Sequence, residues 1–319
     1  MARYLTVEPV ELKRLDATLA FMVAGRARGG GARTRAAQLR RLVERRRPFP
    51  PWAFRARRGR RTVAAAMAVP GVGRVGMIFA SPADAPGVEP EPLEQVLRAA
   101  GAGAVTGGMA FAQSLTAPEA SEDLAALERA GYRQLATLQY LSRDLPARPA
   151  PAADAQIVWR PASSFGEEEL PALIARTYGG SLDCPGLAGL RSMEDVVAGH
   201  RAAGTYRPEW WCIAEVAGEP AGLILACESP GQTADVLYMG VVPGLRGRGL
   251  GSALVRHLSE RVHEDGMRRL TLAVDERNVY AARIYQHEGF VQKQRRIVHV
   301  YSADSANRCE DFDLPRPLE

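Results

Sequence analysis

The sequence predicts a mixed α/β chain of two tandem domains, each a mainly antiparallel twisted sheet flanked by helices. Two observations carry this. A Pro/Ala-rich stretch, "LPARPAPAAD", has no hydrophobic period and divides the 319 residues into near-equal halves of domain size. The order of strand-like and helix-like segments in the second half is then echoed, more faintly, in the first, as duplication of a whole domain would leave it. The expected division is residues 1–145, a linker at 146–155, residues 156–303, and a tail at 304–319.

In the second half, "IVWR" is a short strand and "EEELPALIARTY" and "SMEDVVAGHRAA" are amphipathic helices. "WWCIAEVAGEPAGLILACE" reads as a hairpin, two apolar runs around a Gly/Pro turn. Next come the strand "ADVLYMGVV", a glycine-rich loop and the helix "LGSALVRHLSERVHEDG". The strand "RLTLAVD", the helix "NVYAARIYQHEG" and the closing strand "FVQKQRRIVHVYS" complete it. In the first half, helical stretches at Val10–Val23 and Ala32–Arg47 precede the hairpin "WAFRARRGRRTVAAAMAV" and the strand "RVGMIFA". The helix "PLEQVLRAAG", the strand "GGMAFAQSL", the helix "ASEDLAALERAG" and the strand "YRQLATLQYLS" follow.

Composition excludes some classes. The longest apolar run, Thr62–Ala80, is broken by Pro70, Gly71, Gly73 and Arg74, so no bilayer span is expected. The N-terminus has acids early and no apolar signal core. Four cysteines, Cys184, Cys212, Cys227 and Cys309, show neither a CxxC spacing nor a metal-ligand cluster, which fits a reducing cytoplasm and predicts no metal site. The net charge of +5 is unevenly spread: residues 1–61 hold 17 Lys plus Arg against 4 acids. Such a basic end can contact nucleic acid or ribosomes, or simply be a solvated arginine face.

The chemistry concentrates at "VVPGLRGRGLGSALV", residues 241–255. Amides at a helix start lack intrahelical partners, and together with the helix dipole they make an anion site that glycines let a phosphate approach. Arg246 and Arg248 add charge. The spacing fits neither a P-loop, which needs Lys-Ser/Thr, nor a dinucleotide fingerprint, which sits after the first strand of a βαβ unit. Further on, "DERNVYAARIYQHEGF" follows a strand directly and places Asn278 and Tyr285 seven residues apart, on one helical face.

On these two motifs the chain resembles the GNAT acetyltransferase superfamily. Arg246, Gly249 and Gly251 match its [Q/R]-x-x-G-x-G/A signature, and Asn278, Ala281, Tyr285, Gly289 and Phe290 match the later N-x-x-A-x-x-x-Y-x-x-x-G-F. The resemblance covers residues 156–301, and the tandem arrangement and length are similar to those of mycothiol synthase. It implies acetyl-CoA as cosubstrate, its pantetheine arm in a V-shaped splay of the sheet beside Met239, Gly240 and Val241. The pyrophosphate would lie on the amides of Arg246, Gly247, Arg248, Gly249, Leu250, Gly251 and Ser252. Asn278 would hold the cofactor arm. Tyr285 would be the general acid for the departing thiolate. Asp235 stands where some members carry a catalytic Glu, with Glu215 and Glu228 as rivals for the base, and the amide of Met239 or Val241 would support the oxyanion.

The acceptor, expected to be a small-molecule amine, would be met by the Gly/Pro-broken loop "TYGGSLDCPGLAGL" with Tyr178, Asp183 and Cys184. Trp210 and Trp211 are open to either a cleft-wall or a core role. Alternatives are N-terminal acetylation of a protein or peptide, and a non-enzymatic CoA-sensing or ribosome-associated module. In the first half, aligning "LERAGY" with "YQHEGF" puts Leu127 opposite Tyr285 and Ala120 opposite Asn278. "ADAPGVEP" falls opposite the glycine loop with one Gly, two prolines and two carboxylates. The first domain is therefore expected to be degenerate, without a cofactor motif.

Overall fold

The structure is a computed structural model describing residues 4–24, 30–44, 52–145 and 156–307. The expected linker at 146–155, Cys309 and most of the expected tail lie outside the described residues. The chain forms two compact units, residues 1–135 with 297–319, and residues 136–296.

Unit 1 contains β1 (Leu5–Pro9), α1 (Leu15–Ala24), α2 (Gly30–Glu44), β2 (Trp52–Arg58), β3 (Arg61–Pro70), β4 (Val75–Ala80), α3 (Pro90–Thr106), β5 (Phe111–Thr116) and α4 (Ser121–Arg129). β1 was not foreseen: its alternation is short, and it pairs antiparallel with β2 from Leu5–Arg58 to Pro9–Phe54. β3 is buried at every position from Val63 to Pro70, which suits its nearly unbroken run of alanines, valines and methionine at the sheet centre. Three arginines of the basic N-terminal stretch are internally paired here. Glu8 receives Arg55 at 2.5 Å and Arg57 at 3.5 Å, and Arg58 reaches Glu89 at 2.6 Å.

Unit 2 continues with β6 (Arg133–Asp144), β7 (Ile157–Pro161), α5 (Glu169–Tyr178), α6 (Met193–Arg201), β8 (Thr205–Tyr206), β9 (Cys212–Val216), β10 (Glu219–Ser229), β11 (Thr233–Val241), α7 (Leu250–Glu264), β12 (Arg269–Asp275) and α8 (Val279–His287). β13 (Val291–Ser302) and α9 (Ala303–Asn307) close the described chain. The sheet order in unit 2 is β6-β12-β11-β10-β9-β7, with β8 beside β10.

The units do not follow the two halves of the sequence, because each takes a strand from the other half. β6 pairs antiparallel with β12 from Leu138–Asp275 to Asp144–Arg269. The second half of β13 pairs with β5 from Ile297–Thr116 to Ser302–Phe111. Side-chain packing holds this exchange. Tyr301 stacks near Tyr132, with ring centroids 5.2 Å apart, and a Cβ at Gly101 of α3 would stand 2.8 Å from Tyr301 and 2.6 Å from the Tyr132 hydroxyl. Hydrophobic periodicity reports the existence of a strand and not its partner, so the exchange was invisible in the sequence.

In both units a parallel pair opens into a fork. β4 and β5 pair only at Val75–Phe111, Gly76–Ala112 and Met77–Gln113. β11 and β12 pair only from Thr233–Arg269 to Val236–Leu272. β11 then runs on along β10 to Val241 while β12 runs on along β6 to Asp275. On β11 the pairing with β10 skips Leu237, one residue past the last β11–β12 pair. A bulge bends its strand, so the divergence begins where the extra residue sits.

Candidate functional site

The unit 2 fork is bounded at one end by the glycine loop and α7. Gly249 is the N-cap of α7, with φ +83°, and no side chain caps the helix. The first turn holds no acid, and the first helical bond closes from Ala253 N–H to Gly249 O at 3.1 Å. The amides of Leu250, Gly251 and Ser252 therefore have no intrahelical acceptor. A Cβ built at Gly244, Gly247 or Gly249 would meet nothing within 4 Å, so bare backbone faces open space. A diphosphate fits this cradle: donors, dipole and steric room coincide. Gly251 differs: a Cβ there would lie 2.6 Å from Ile284 Cδ1, so it serves the close crossing of α7 and α8.

The two arginines divide their work. Arg246 donates to three carbonyls, Val241 at 3.0 Å, Gly180 at 3.2 Å and Thr177 at 2.9 Å. Its own amide donates to Pro243 O at 3.3 Å. Its guanidinium thus straps the loop to the end of α5 and the fork strand, where the sequence suggested a charge aimed at phosphate. Arg248 is exposed and makes no ion pair among the described residues.

Tyr285 is buried on α8 within the main core of the unit, with Phe290 edge-on at 5.6 Å. Burial raises its pKa strongly, and Asp183 and Tyr238 raise it further. A phenol so placed stays protonated at neutral pH and is available as a donor. Asn278 is the N-cap of α8 and its Oδ1 accepts from Ala281 N–H at 3.2 Å. Its side chain also hydrogen-bonds Asp183. Asn278 is thus occupied in setting the start of the helix that carries Tyr285.

Asp235 lies on β11 in the paired part of the fork, where Thr271 Oγ1 donates to its Oδ1 at 2.8 Å. Burial raises its pKa above the usual carboxylate value and the Thr271 hydrogen bond opposes the shift. Its rivals are committed elsewhere: Glu228 takes Arg207 at 2.5 Å, and Glu215 stands 3.7 Å from Arg160.

Three groups escaped sequence reasoning. Tyr238, on β11 just past the bulge, shares a 2.7 Å hydrogen bond with Thr177 of α5. That contact explains Gly240, where a Cβ would sit 2.5 Å from Thr177 Oγ1 and 2.8 Å from the Tyr238 hydroxyl. The third is Asp275, fully buried at the end of β12. Its carboxylate accepts from Arg277 at 2.5 Å and from Cys184 N–H at 3.1 Å, while its own N–H donates to Asp183 Oδ1 at 2.9 Å. The expected acceptor loop is thereby tied to the β12–α8 junction through Asp183. Burial pushes the Asp183 carboxyl up, and it pushes the Cys184 thiol up to about 12, which leaves that sulfur a poor nucleophile.

Trp210 and Trp211 resolve as core residues. Both are fully buried, with Trp210 donating to Asp265 at 2.5 Å and Trp211 to Ala226 O at 3.0 Å. Cys212 and Cys227 are buried thiols on the hairpin strands, as expected. Among the described residues no group of three or more His, Cys, Asp or Glu is placed to hold a metal, and no helix is long and apolar enough to cross a membrane.

Residues 183–290 match the acetyltransferase (GNAT) family. The chain is 34% identical over 91 residues to an acetyltransferase of Photorhabdus laumondii, covering 28% of this chain and 62% of that one. It is 36% identical over 76 residues to a mycothiol acetyltransferase of Frankia casuarinae, covering 24% of this chain and 22% of that protein. Each match thus spans less than two thirds of the relative. Among solved structures, a GCN5-related N-acetyltransferase from Sphaerobacter thermophilus superposes with TM-score 0.58 at 18% identity, over 93% of this chain and 95% of that one. A tandem GNAT protein from the clavulanic acid biosynthesis pathway does so with TM-score 0.50 at 16% identity, over 93% and 98%. At these identities the likeness is one of fold.

Proposed function

We propose that unit 2, which holds the segment matching the acetyltransferase (GNAT) family, residues 183–290, is an N-acetyltransferase. It moves the acetyl group of acetyl-CoA to a primary amine of a small molecule by direct attack. The observation that carries this is the β11–β12 fork ending at an uncapped helix N-terminus, with Tyr285 buried beside it. Bound acetyl-CoA supplies the activated acyl group as a thioester.

The chain's own groups take the remaining roles. Backbone donors from Gly247 to Ser252 hold the diphosphate, and the freed edge of Met239–Val241 pairs with the amide arm. The Met239 or Val241 amide donates to the carbonyl oxygen as it gains charge. Asp235, ionised, takes a proton from the incoming ammonium through a water, since an aliphatic amine of pKa about 10 is mostly charged at neutral pH. As the C–N bond forms and the C–S bond breaks, Tyr285 gives a proton to the leaving sulfur and is reprotonated by the proton the acylated nitrogen sheds. The Asp183 loop walls the acceptor side. Cysteines held as thiols support a reducing cytoplasm as the working compartment.

Thiol release from acetyl-CoA with a panel of primary amines tests the reading, an aminoglycoside-thiol precursor included because of the mycothiol acetyltransferase relative. Absence of turnover with every amine, in protein that binds acetyl-CoA, would overturn it.

A further inference from the structure

Two opposite charges without counter-ions share one face of the unit 2 sheet. Asp235 of β11 is in register with Thr271 of β12 and accepts from its hydroxyl. Side chains alternate along a strand, so Ala273 points to the same side as Thr271. Across the β12–β6 ladder Ala273 pairs with Tyr140, which therefore stands on that face too. β13 flanks β6 on its far side and carries Arg296. Burial raises the Tyr140 pKa most, Arg296 lowers it and Asp235 raises it, so the phenol lies in the field of both charges. All of these groups belong to residues 136–296.

Asp235 takes its one hydrogen bond from Thr271, and no cation pairs with it among the described residues. Arg296 is half-buried and meets only neutral oxygens. Its Nη2 donates to Gln294 Oε1 at 2.9 Å and its Nη1 to the Arg295 carbonyl at 3.3 Å, which leaves other N–H groups of the guanidinium to donate. No carboxylate pairs with it among the described residues, and nearby acids are taken, Glu276 by Arg295 and Asp275 by Arg277. Between the two charges, Ala273 is exposed although its strand lies inside the sheet. A methyl group there leaves the floor open where a larger side chain would fill it.

A partly buried charge is unfavourable until a counter-ion reaches it. One small molecule bringing an ammonium to Asp235 and a carboxylate to Arg296 satisfies both at once. A diamine would set like charge against Arg296, and a plain alkylamine would leave the guanidinium unpaired. Asp235 and Arg296 stand three strand spacings apart in the sheet order, about 14 Å between backbones. Their two side chains and a short zwitterion together span that gap.

We propose that the acceptor of unit 2 is an α-amino acid, its ammonium at Asp235 and its carboxylate on Arg296 and the Tyr140 hydroxyl. This rests on the acetyltransferase reading above and narrows it. The neutral nitrogen attacks the thioester carbonyl; the C–N bond forms and the C–S bond breaks, giving an N-acetylamino acid, coenzyme A as the thiol and one proton to solvent. Of the two protons the ammonium loses, Asp235 passes the first to solvent, and the second restores to Tyr285 the one it gave to sulfur.

Alanine, leucine, phenylalanine and glutamate are each compared with the corresponding α-amide. Thiol release from acetyl-CoA reads turnover, and calorimetry on the CoA-bound protein reads recognition without turnover. The amide has the less basic amine, so a preference for the acid cannot come from the supply of neutral nucleophile. At least one acid should exceed its amide tenfold or more in affinity and in kcat/KM, the latter through KM. Arg296→Gln should bring that ratio to within threefold of unity in protein whose melting temperature is retained, and Arg296→Lys should restore part of it. Turnover of amines with no acid preferred over its amide, or an unchanged ratio in Arg296→Gln, would overturn the inference and leave the acetyltransferase reading standing. Selective binding of an acid without turnover of any amine would overturn that reading and keep the amino-acid site. Neither turnover nor selective binding would overturn both.

Discussion

Thr271 donates its hydroxyl to Asp235 across the parallel β11–β12 pair at 2.8 Å, the one hydrogen bond set against the burial of that carboxylate. The bond favours the ionised form and burial disfavours it, and burial prevails, so the pKa lies above the ordinary value. A base must be ionised to act, so activity is lost as pH falls through this raised pKa, and the acidic limb lies higher than an ordinary aspartate would set it. Asp235→Asn keeps an acceptor for Thr271 and should lower turnover about 10²-fold, with the acidic limb flattened in the pH–rate profile. A profile superimposable on wild type would remove Asp235 from the mechanism.

The same shift carries a stability consequence of definite sign. Burial penalises the charged form in the folded state, so the protonated carboxyl contributes stability that is lost as pH rises through the folded pKa. Asp235→Asn should therefore raise the melting temperature at pH 8 and leave it near wild type at pH 3. Equal shifts at both pH values would show that packing rather than ionisation is responsible.

Gly249 and Gly251 belong to one motif and answer to different constraints. At Gly249 φ is +83° and a Cβ would meet open space, so Gly249→Val obstructs the cradle at a backbone cost of about 1–2 kcal/mol. Coenzyme A affinity should fall at least 10²-fold in protein that still folds. Gly251→Val drives its side chain into Ile284 and should instead lower the melting temperature markedly. Calorimetry and thermal melting on the two variants separate the roles, and wild-type CoA affinity in Gly249→Val would refute the cradle.

Tyr285→Phe removes one hydroxyl from a ring that Phe290 and the surrounding core hold in place. Turnover should drop about 10²-fold while acetyl-CoA affinity stays within a few-fold, since only the proton donor is lost. Unchanged turnover would assign the leaving-group proton elsewhere.

Much of this was legible in residue order. The glycine loop, the Asn278–Tyr285 spacing and the strand–helix succession are local patterns, and helix capping and anion binding are local physics. Pairwise contacts between distant segments were not legible. Arg246 was read as charge for a phosphate because nothing in the sequence tells that Val241, Gly180 and Thr177 present three carbonyls to it. Tyr238 drew no notice because its meaning lies in Thr177, 61 residues away. The exchange of β6 and β13 was hidden for the same reason: the pattern of a strand does not name the neighbour it meets.

The final prediction concerns stoichiometry. Both units have a fork, so the fold alone would allow two molecules of coenzyme A per chain. What differs is the supply of backbone donors at the mouth of each. In unit 2 the first turn of α7 contains no proline, and a Cβ at Gly247 or Gly249 before it would meet nothing within 4 Å. In unit 1, α3 is likewise without a side-chain cap, but Pro90 and Pro92 in its first turn have no N–H, the Glu89 carboxylate before it is held by Arg58 at 2.6 Å, and the amides of Ala83, Ala85, Val88 and Glu89 are engaged by Asp123, Pro82, Ala85 and Val63. A diphosphate would have to displace these bonds while facing Asp84, Glu89 and Asp123. One coenzyme A per chain is therefore expected. Gly249→Val should abolish that single binding event outright, and Asp123→Asn should leave the count at one. A titration of wild-type protein reaching two per chain, or residual CoA binding of undiminished affinity in Gly249→Val, would place a working cradle in unit 1.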